Sequence, residues 1–256
     1  MSWSAKQYST FEDERTRPVR DLLSAVPARE ANRVADLGCG PGNSTEVLSA
    51  RFPGAAVVGL DSSVDMIEAA RSRLPQFKFV QGAIETWAPV ERFDVILSNA
   101  ALQWVPDHAT LFPRLTDKLA SGGSLAIQMP DNLDEPAHRL MREIAADGPW
   151  RDKLASAAQT RTTLESVNWY YQLLQSCSSR VDVWRTTYYH ALAGGADAVV
   201  EWFKGSGLRP FLAPLDTAQQ ATFLGRYRAA IAEAYPALSD GTVLLPFPRL
   251  FMIATR

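Results

Sequence analysis

Only two cysteines occur in the 256 residues, Cys39 and Cys177, and they lie far apart, so a disulfide framework is not expected and no cysteine cluster is available to hold a metal. Histidine is scarce too, at three, and the expected metal content is none. No stretch approaches the roughly 18 consecutive apolar residues of a spanning helix. Met1 to Arg20 is rich in charge and lacks the apolar core of a leader. These absences predict a cytoplasmic protein that neither enters a membrane nor leaves the cell. An excess of one charge is also missing, with 26 Lys and Arg against 28 Asp and Glu and a formal net charge of −2. Nucleic acid is therefore not an expected partner, and a small molecule is. The chain is read as a monomer, with a dimer left open.

What is present is ample apolar content, 46%, enough for a packed interior. After a short arm, Pro18 opens the periodic run Val19, Leu22, Leu23 and Val26, which reads as a helix. From Arg33 onward strand and helix patterns alternate. Strands are expected at 33–37, 56–60, Phe77–Gln81, Phe93–Asn99 and Ser124–Met129, with helices over Ser44–Arg51, Ser63–Leu74 and Leu111–Leu119. Alternation of this kind predicts a parallel sheet covered on both faces. Beyond Pro130 the rhythm breaks: residues 134–176 and Asp197–Tyr235 are helix-forming, whereas Val181–Tyr189 and Thr242–Thr255 return to strand.

The richest segment is Val34-Ala35-Asp36-Leu37-Gly38-Cys39-Gly40-Pro41-Gly42, a strand running into a glycine turn and a helix start. Asn43 stands where a dinucleotide fingerprint has its third glycine. Asp36 would repel a pyrophosphate at that helix start and attract a cation. Asp61, 19 residues beyond Gly42, ends the next apolar run at the distance where an acid grips a ribose diol. Taken singly, each feature has a plainer account, the glycines as a turn, Asp61 as a helix cap, and Cys39 as a small residue filling a bend rather than a nucleophile. In this order and spacing they point to a ligand with a ribose, a cationic end and no phosphate.

The segments Asp36-Leu37-Gly38-Cys39-Gly40-Pro41-Gly42, Asp61 and Phe93-Asp94-Val95-Ile96-Leu97-Ser98-Asn99 resemble the class I S-adenosylmethionine-dependent methyltransferases. Asn99-Ala100-Ala101-Leu102-Gln103-Trp104, Gln128-Met129-Pro130-Asp131-Asn132, Trp184-Arg185-Thr186-Thr187-Tyr188-Tyr189-His190 and Phe247-Pro248-Arg249-Leu250-Phe251 carry the likeness to the C-terminus, toward the members that esterify small polycarboxylates. The resemblance implies an α/β fold, a doubly wound, seven-stranded, mostly parallel Rossmann-like sheet with helical insertions capping the active site. It implies one methyltransferase domain over 1–256, with an arm and helix at 1–30, a cofactor-binding core at 31–130, cap insertions at 131–178 and 195–240, and C-terminal strands at 180–190 and 242–256. The implied activity is transfer of a methyl group from S-adenosylmethionine to trans-aconitate or a close polycarboxylate, giving a monomethyl ester and S-adenosylhomocysteine.

Carried over by matched motif, Gly38, Gly40 and Gly42 approach the methionine and ribose portions, and Asp36 lies near the ammonium. Asp61, with Ser62 beside it, holds the ribose hydroxyls, Met66 lies against adenine, and Asn99 with Ala100 floors the sulfonium end. One departure is clear. The family's acid near the adenine amino group is replaced by Gly82-Ala83-Ile84, which shifts adenine recognition to backbone groups around Ala83 and Ile84.

A carboxylate acceptor is already ionised at neutral pH and needs alignment more than a base, so no catalytic acid or base is assigned. Trp104, Tyr188 and His190 are the expected positioning groups, and Met129, Arg185, Tyr189 and Arg249 complete the expected acceptor-binding set. Arginine forks suit carboxylates, although alternate residues of an edge strand also simply face water. By strand periodicity one of Tyr188 and Tyr189 enters the site and the other does not. In the N-terminal arm, Tyr8 and Phe11 are read either as a lid or as a staple. The first half of the chain would look the same in a phenol or quinol methyltransferase, or in a non-catalytic cofactor-binding regulator. A nicotinamide dehydrogenase is opposed by Asp36 and Asn43.

Overall fold

The computed structural model describes residues 12–157 and 163–256. Tyr8 and Phe11 lie outside the described residues. Seven strands form one sheet in the order β3-β2-β1-β4-β5-β7-β6, flanked by helices, as the alternation predicts. In chain order the elements begin with α1 (Glu12–Ala25), β1 (Arg33–Leu37), α2 (Asn43–Arg51), β2 (Ala56–Asp61), α3 (Val64–Arg73) and β3 (Lys78–Gln81). They continue with β4 (Phe93–Asn99), α4 (His108–Asp117), β5 (Leu119–Pro130), α5 (Pro136–Ala146), α6 (Arg151–Leu154) and α7 (Val167–Gln175). The last are β6 (Arg180–Ala193), α8 (Gly195–Lys204), α9 (Arg209–Leu212), α10 (Thr217–Ala234) and β7 (Thr242–Thr255).

The strands β1, β2 and β4 are Val-, Leu- and Ile-rich runs with little alternation, buried nearly throughout, which is how parallel strands with both faces covered read. β1 pairs in parallel with β2 on one side and β4 on the other, and β2–β3 and β4–β5 are parallel as well. The chain thus winds outward from β1 to β3 and returns at β4. The switch in direction falls between β1 and β4, and ligands of such sheets bind beyond the carboxyl ends of those strands.

Compact packing divides the chain into two units. Among the described residues the first comprises 12–130, 164–186 and 250–256, and the second 131–157, 163 and 187–249. Helix α7 was expected in a cap insertion and instead belongs to the first unit. Its Tyr170 and Leu174 are fully buried in the same apolar cluster as Phe112, Leu125, Ile127 and Leu250. Tyr170 stacks on Phe112 with centroids 5.6 Å apart. In the second unit, α5 and α10 share a buried face on which the Tyr227 hydroxyl donates to the Ala137 carbonyl and the Ala137 N–H donates to the Tyr235 hydroxyl.

Boundaries depart from expectation where capping and tertiary packing decide them. Helix α1 includes Glu12–Ala25, so Pro18 is interior to the helix and not its first residue. Helix α4 begins three residues early because the Asp107 carboxylate caps the Thr110 N–H. Strand β5 extends back to Leu119 past an irregularity opposite Phe93 and Val95.

Candidate functional site

The turn after β1 is built by backbone that side chains resist. Gly38, Gly40 and Gly42 all have positive φ, at 76°, 54° and 97°. At Gly38 a Cβ would lie 2.2 Å from the Ala101 methyl, so this glycine is required by close approach as well as by conformation. At Gly40 a Cβ would meet nothing within 4 Å, leaving that face of the turn open. The N–H groups of Gly38 and Cys39 both donate to the Leu60 carbonyl, fastening the turn to the end of β2. Cys39 is buried with Ile67, Ala70, Leu74 and Phe79, and burial pushes its thiol far above the ordinary range, so it packs and is no nucleophile.

Asp36 is completely buried at the start of this turn. Its Oδ2 accepts from the hydroxyls of Ser44 and Thr45, each at 2.7 Å, while Oδ1 has no hydrogen-bond partner among the described residues. Burial pushes the carboxyl from 3.8 up to about 6, opposed by those two hydroxyls and assisted by the charge of Asp61. A buried acceptor of this kind calls for a donor, and a cation is the strongest one.

Asp61 ends β2 half-buried, with one oxygen accepting the Gly40 N–H and the other the Ser63 N–H, both at 2.9 Å. A carboxylate has about four lone-pair sites, so two such bonds orient it and leave capacity for a diol. Ser62 is exposed, and Met66 is buried in the first turn of α3. Ala83 and Ile84 form the start of a short 3₁₀ turn whose carbonyls are already engaged. Ala83 accepts from the Thr86 N–H and hydroxyl, and Ile84 accepts from the Trp87 N–H and the Arg114 guanidinium. This turn therefore presents a ligand with N–H groups and not with carbonyls.

At the exit of β4, Asn99 Oδ1 is buried with no hydrogen-bond partner among the described residues. Ala100 follows with φ of 53°, a left-handed conformation unusual for alanine. Trp104 is half-buried on the 3₁₀ turn Leu102–Trp104. Met129 was expected to touch the acceptor, and its side chain instead lies wholly within the apolar cluster of the first unit. Its neighbours there include Ile127 and Met252, so its burial is explained by packing alone.

Within the second unit, Arg249 is only 3% exposed. Its guanidinium lies 4.7 Å from the Phe247 ring centroid and 5.9 Å from that of Tyr188. His190 is buried and stacks on Trp202 at 4.5 Å, with Phe247 at 5.5 Å. Tyr188, His190 and Leu192 share the buried face of β6, whereas Arg185, Thr187 and Tyr189 lie on its exposed face. Arg185 and Tyr189 thus do not join Tyr188, His190 and Arg249, because the two-residue period of the strand turns them to solvent.

Comparison with known proteins bears on this arrangement. Residues 34–123 match a family described as a methyltransferase domain. The chain is 56% identical over 254 residues to the trans-aconitate 2-methyltransferase of Methylobacterium nodulans, covering 99% of this chain and 98% of that one. It is 54% identical over 256 residues to the enzyme of that name from Rhizobium meliloti, covering 100% and 99%. The chain belongs to the trans-aconitate 2-methyltransferase family. The crystal structure of the YcgJ protein from Bacillus subtilis shares the fold, with a TM-score of 0.62 at 13% identity over 94% of this chain and 98% of that one.

As in other S-adenosylmethionine-dependent methyltransferases, the cofactor of this family is S-adenosylmethionine. The first unit's residues fit that cofactor on their own evidence. Asp36 Oδ1 and Asn99 Oδ1 are buried acceptors that want donors, and the open face at Gly40 leaves room for a ligand beside them. Sequence reasoning missed Ser44 and Thr45, whose hydroxyls hold Asp36. Two hydroxyl residues in the first turn of the helix after a glycine turn were the available signal. It also left out Gln103, which is 3% exposed and donates to the Ala100 carbonyl.

Proposed function

We propose that this methyltransferase esterifies one carboxylate of trans-aconitate, or of a close polycarboxylate, and releases S-adenosylhomocysteine. The observation that carries the acceptor class is Arg249, a permanent cation withdrawn from water against the faces of Phe247 and Tyr188. A guanidinium cannot shed its charge to suit burial, and its planar fork matches a carboxylate with paired hydrogen bonds. Tyr188 and His190 share the buried face of β6 and supply the hydroxyl and ring donors that a second carboxylate needs. The relatives from Methylobacterium nodulans and Rhizobium meliloti carry the same acceptor in their name, which supports this reading.

On the cofactor side, Asp61 holds the ribose hydroxyls, and Asp36 and Asn99 receive the ammonium. The turn Gly38–Gly42 admits the methionine portion, Met66 packs against adenine, and Ala83 and Ile84 address its ring nitrogens. Ala100 floors the sulfonium end, and Trp104 walls it from water. When bound, S-adenosylmethionine supplies an electrophilic methyl carbon. An acceptor carboxylate is ionised at neutral pH, so the chain's own residues orient it and exclude water, and none removes a proton. Residues 31–130 form the cofactor-binding core in this reading. The free thiols Cys39 and Cys177 suit the cytoplasm, and no helix among the described residues is long and apolar enough to cross a membrane.

The test is incubation with methyl-labelled cofactor and a panel of di- and tricarboxylic acids, a phenol and a quinol. Base-labile label on a polycarboxylate is the expected result. Label on the phenol or quinol, or cofactor binding with no labelled product from any acceptor, would overturn the proposal.

A further inference from the structure

We propose that Gln103 is a positioning residue, which holds Ala100 in its left-handed conformation and through it sets the loop at the exit of β4 against the glycine turn. The proposal rests on the reading above that Ala100 floors the cofactor site.

A non-glycine residue at φ 53° is strained and persists only where its surroundings over-determine it. Both peptide groups of Ala100 are tied. Its N–H donates to the Gln128 carbonyl at 2.9 Å, and its carbonyl accepts from Gln103 Nε2 at 2.6 Å. The first bond comes from the neighbouring strand and the second from a side chain three residues on, so Gln103 is the tie that a single substitution removes. Gln103 is almost fully buried, and its Oε1 has no hydrogen-bond partner among the described residues. An apolar side chain would spare that unmet acceptor, so it is the donor that justifies an amide at this position.

What the tie controls lies at the next residue. The Ala101 methyl occupies the space that a Gly38 Cβ would need, 2.2 Å away, so the peptide between Ala100 and Ala101 fixes how the β4 exit seats on the glycine turn. The far end of the loop is anchored separately. His108 Nε2 bonds the Leu102 carbonyl at 2.9 Å, and because a carbonyl only accepts, the proton is on Nε2 and Nδ1 accepts from the Tyr170 hydroxyl at 2.8 Å. Ser98 Oγ donates to the Leu37 carbonyl at 2.9 Å and locks β4 to the end of β1 before the strained residue. Between these two anchors, Ala100 is the joint.

Gln103→Met keeps the volume and removes the donor. If Gln103 only fills space, methionine is a mild change. If it holds Ala100, kcat falls roughly tenfold while the acceptor KM stays within about twofold, because misplacement acts on alignment and not on acceptor binding. The three-bond HN–Hα coupling of Ala100 moves away from its parent value in the same variant. Glycine accepts positive φ without strain, so adding Ala100→Gly to the Met variant is expected to restore kcat to within roughly threefold of the parent. Gln103→Ala serves for the same comparison should the Met variant not fold. Parent-like kcat and coupling in the folded variant, or a double variant no better than the single, overturn the proposal. Calorimetry with S-adenosylhomocysteine separates the two readings. A parent chain that binds none removes the cofactor site itself, whereas a parent that binds and turns over beside an indifferent variant removes only the role of Gln103.

Discussion

Asp36 in the first unit and Arg249 in the second are both charged groups withdrawn from water, and the fold treats them in opposite ways. Asp36 is given two hydroxyls and has its pKa raised to about 6, so near neutral pH it remains within reach of protonation. Arg249 has no such escape, and it is laid against aromatic faces whose quadrupoles tolerate a cation. The difference separates a charge that protonation can remove from one that is permanent.

The largest expected effect falls on the fixed charge. Arg249→Ala should lower kcat/KM for the acceptor by on the order of 100-fold and leave S-adenosylhomocysteine affinity within about twofold, and Arg249→Lys should recover little, since an ammonium lacks the fork. Equal loss of cofactor binding in calorimetry would break the contrast. Next comes the adjustable charge and pH. With a folded-state pKa of about 6 against 3.8, the native chain holds the Asp36 proton more tightly than the unfolded chain does. That preference favours folding fully below pH 3.8 and is lost as pH rises to about 6, above which the ionised group costs on the order of 3 kcal/mol. The parent and Asp36→Asn should therefore diverge in denaturant stability between pH 4 and 7, with the variant gaining relative stability as pH rises; parallel curves would show that the carboxyl does not titrate there.

A smaller effect sharpens the cofactor side. Asp36→Asn should weaken S-adenosylhomocysteine by roughly tenfold, and the parent's affinity should rise with pH through about 6 while the variant's stays level. Binding that is unaltered by the substitution at pH 8 would detach the carboxylate from the ligand's cation. The smallest effect is expected at Tyr189, 66% exposed, where Tyr189→Ser should change kcat/KM by less than about twofold. A tenfold loss would place the outward face of β6 in the reaction.

The same contrast explains what the sequence disclosed. The glycine turn, Asp36 and Asp61 were legible because close backbone approach, charge and spacing are all local, and the alternation of strand and helix from β1 to β5 follows from periodicity. Arg185 and Arg249 looked equivalent, each on a strand beside aromatics, and only the facing of each strand told them apart. Met129 stands next to the end of the buried strand β5, and no local pattern separates a core methionine from one lining a pocket. The membership of α7 in the first unit is not legible locally, because the stacking of Tyr170 on Phe112 joins residues distant along the chain. The role of Gln103 has no local signature, since the strain at Ala100 that explains it is a property of backbone angles.

Strands β3 and β6 close the two ends of the sheet, and an edge strand presents backbone groups on which another extended chain can pair. The first is blunted by brevity, only four residues long. The second runs for fourteen, and its exposed positions include Arg180, Asp182 and Arg185. Charges at such a rim discourage foreign strands from annealing there, so Arg185 on the outward face of β6 has work as a guard against aggregation.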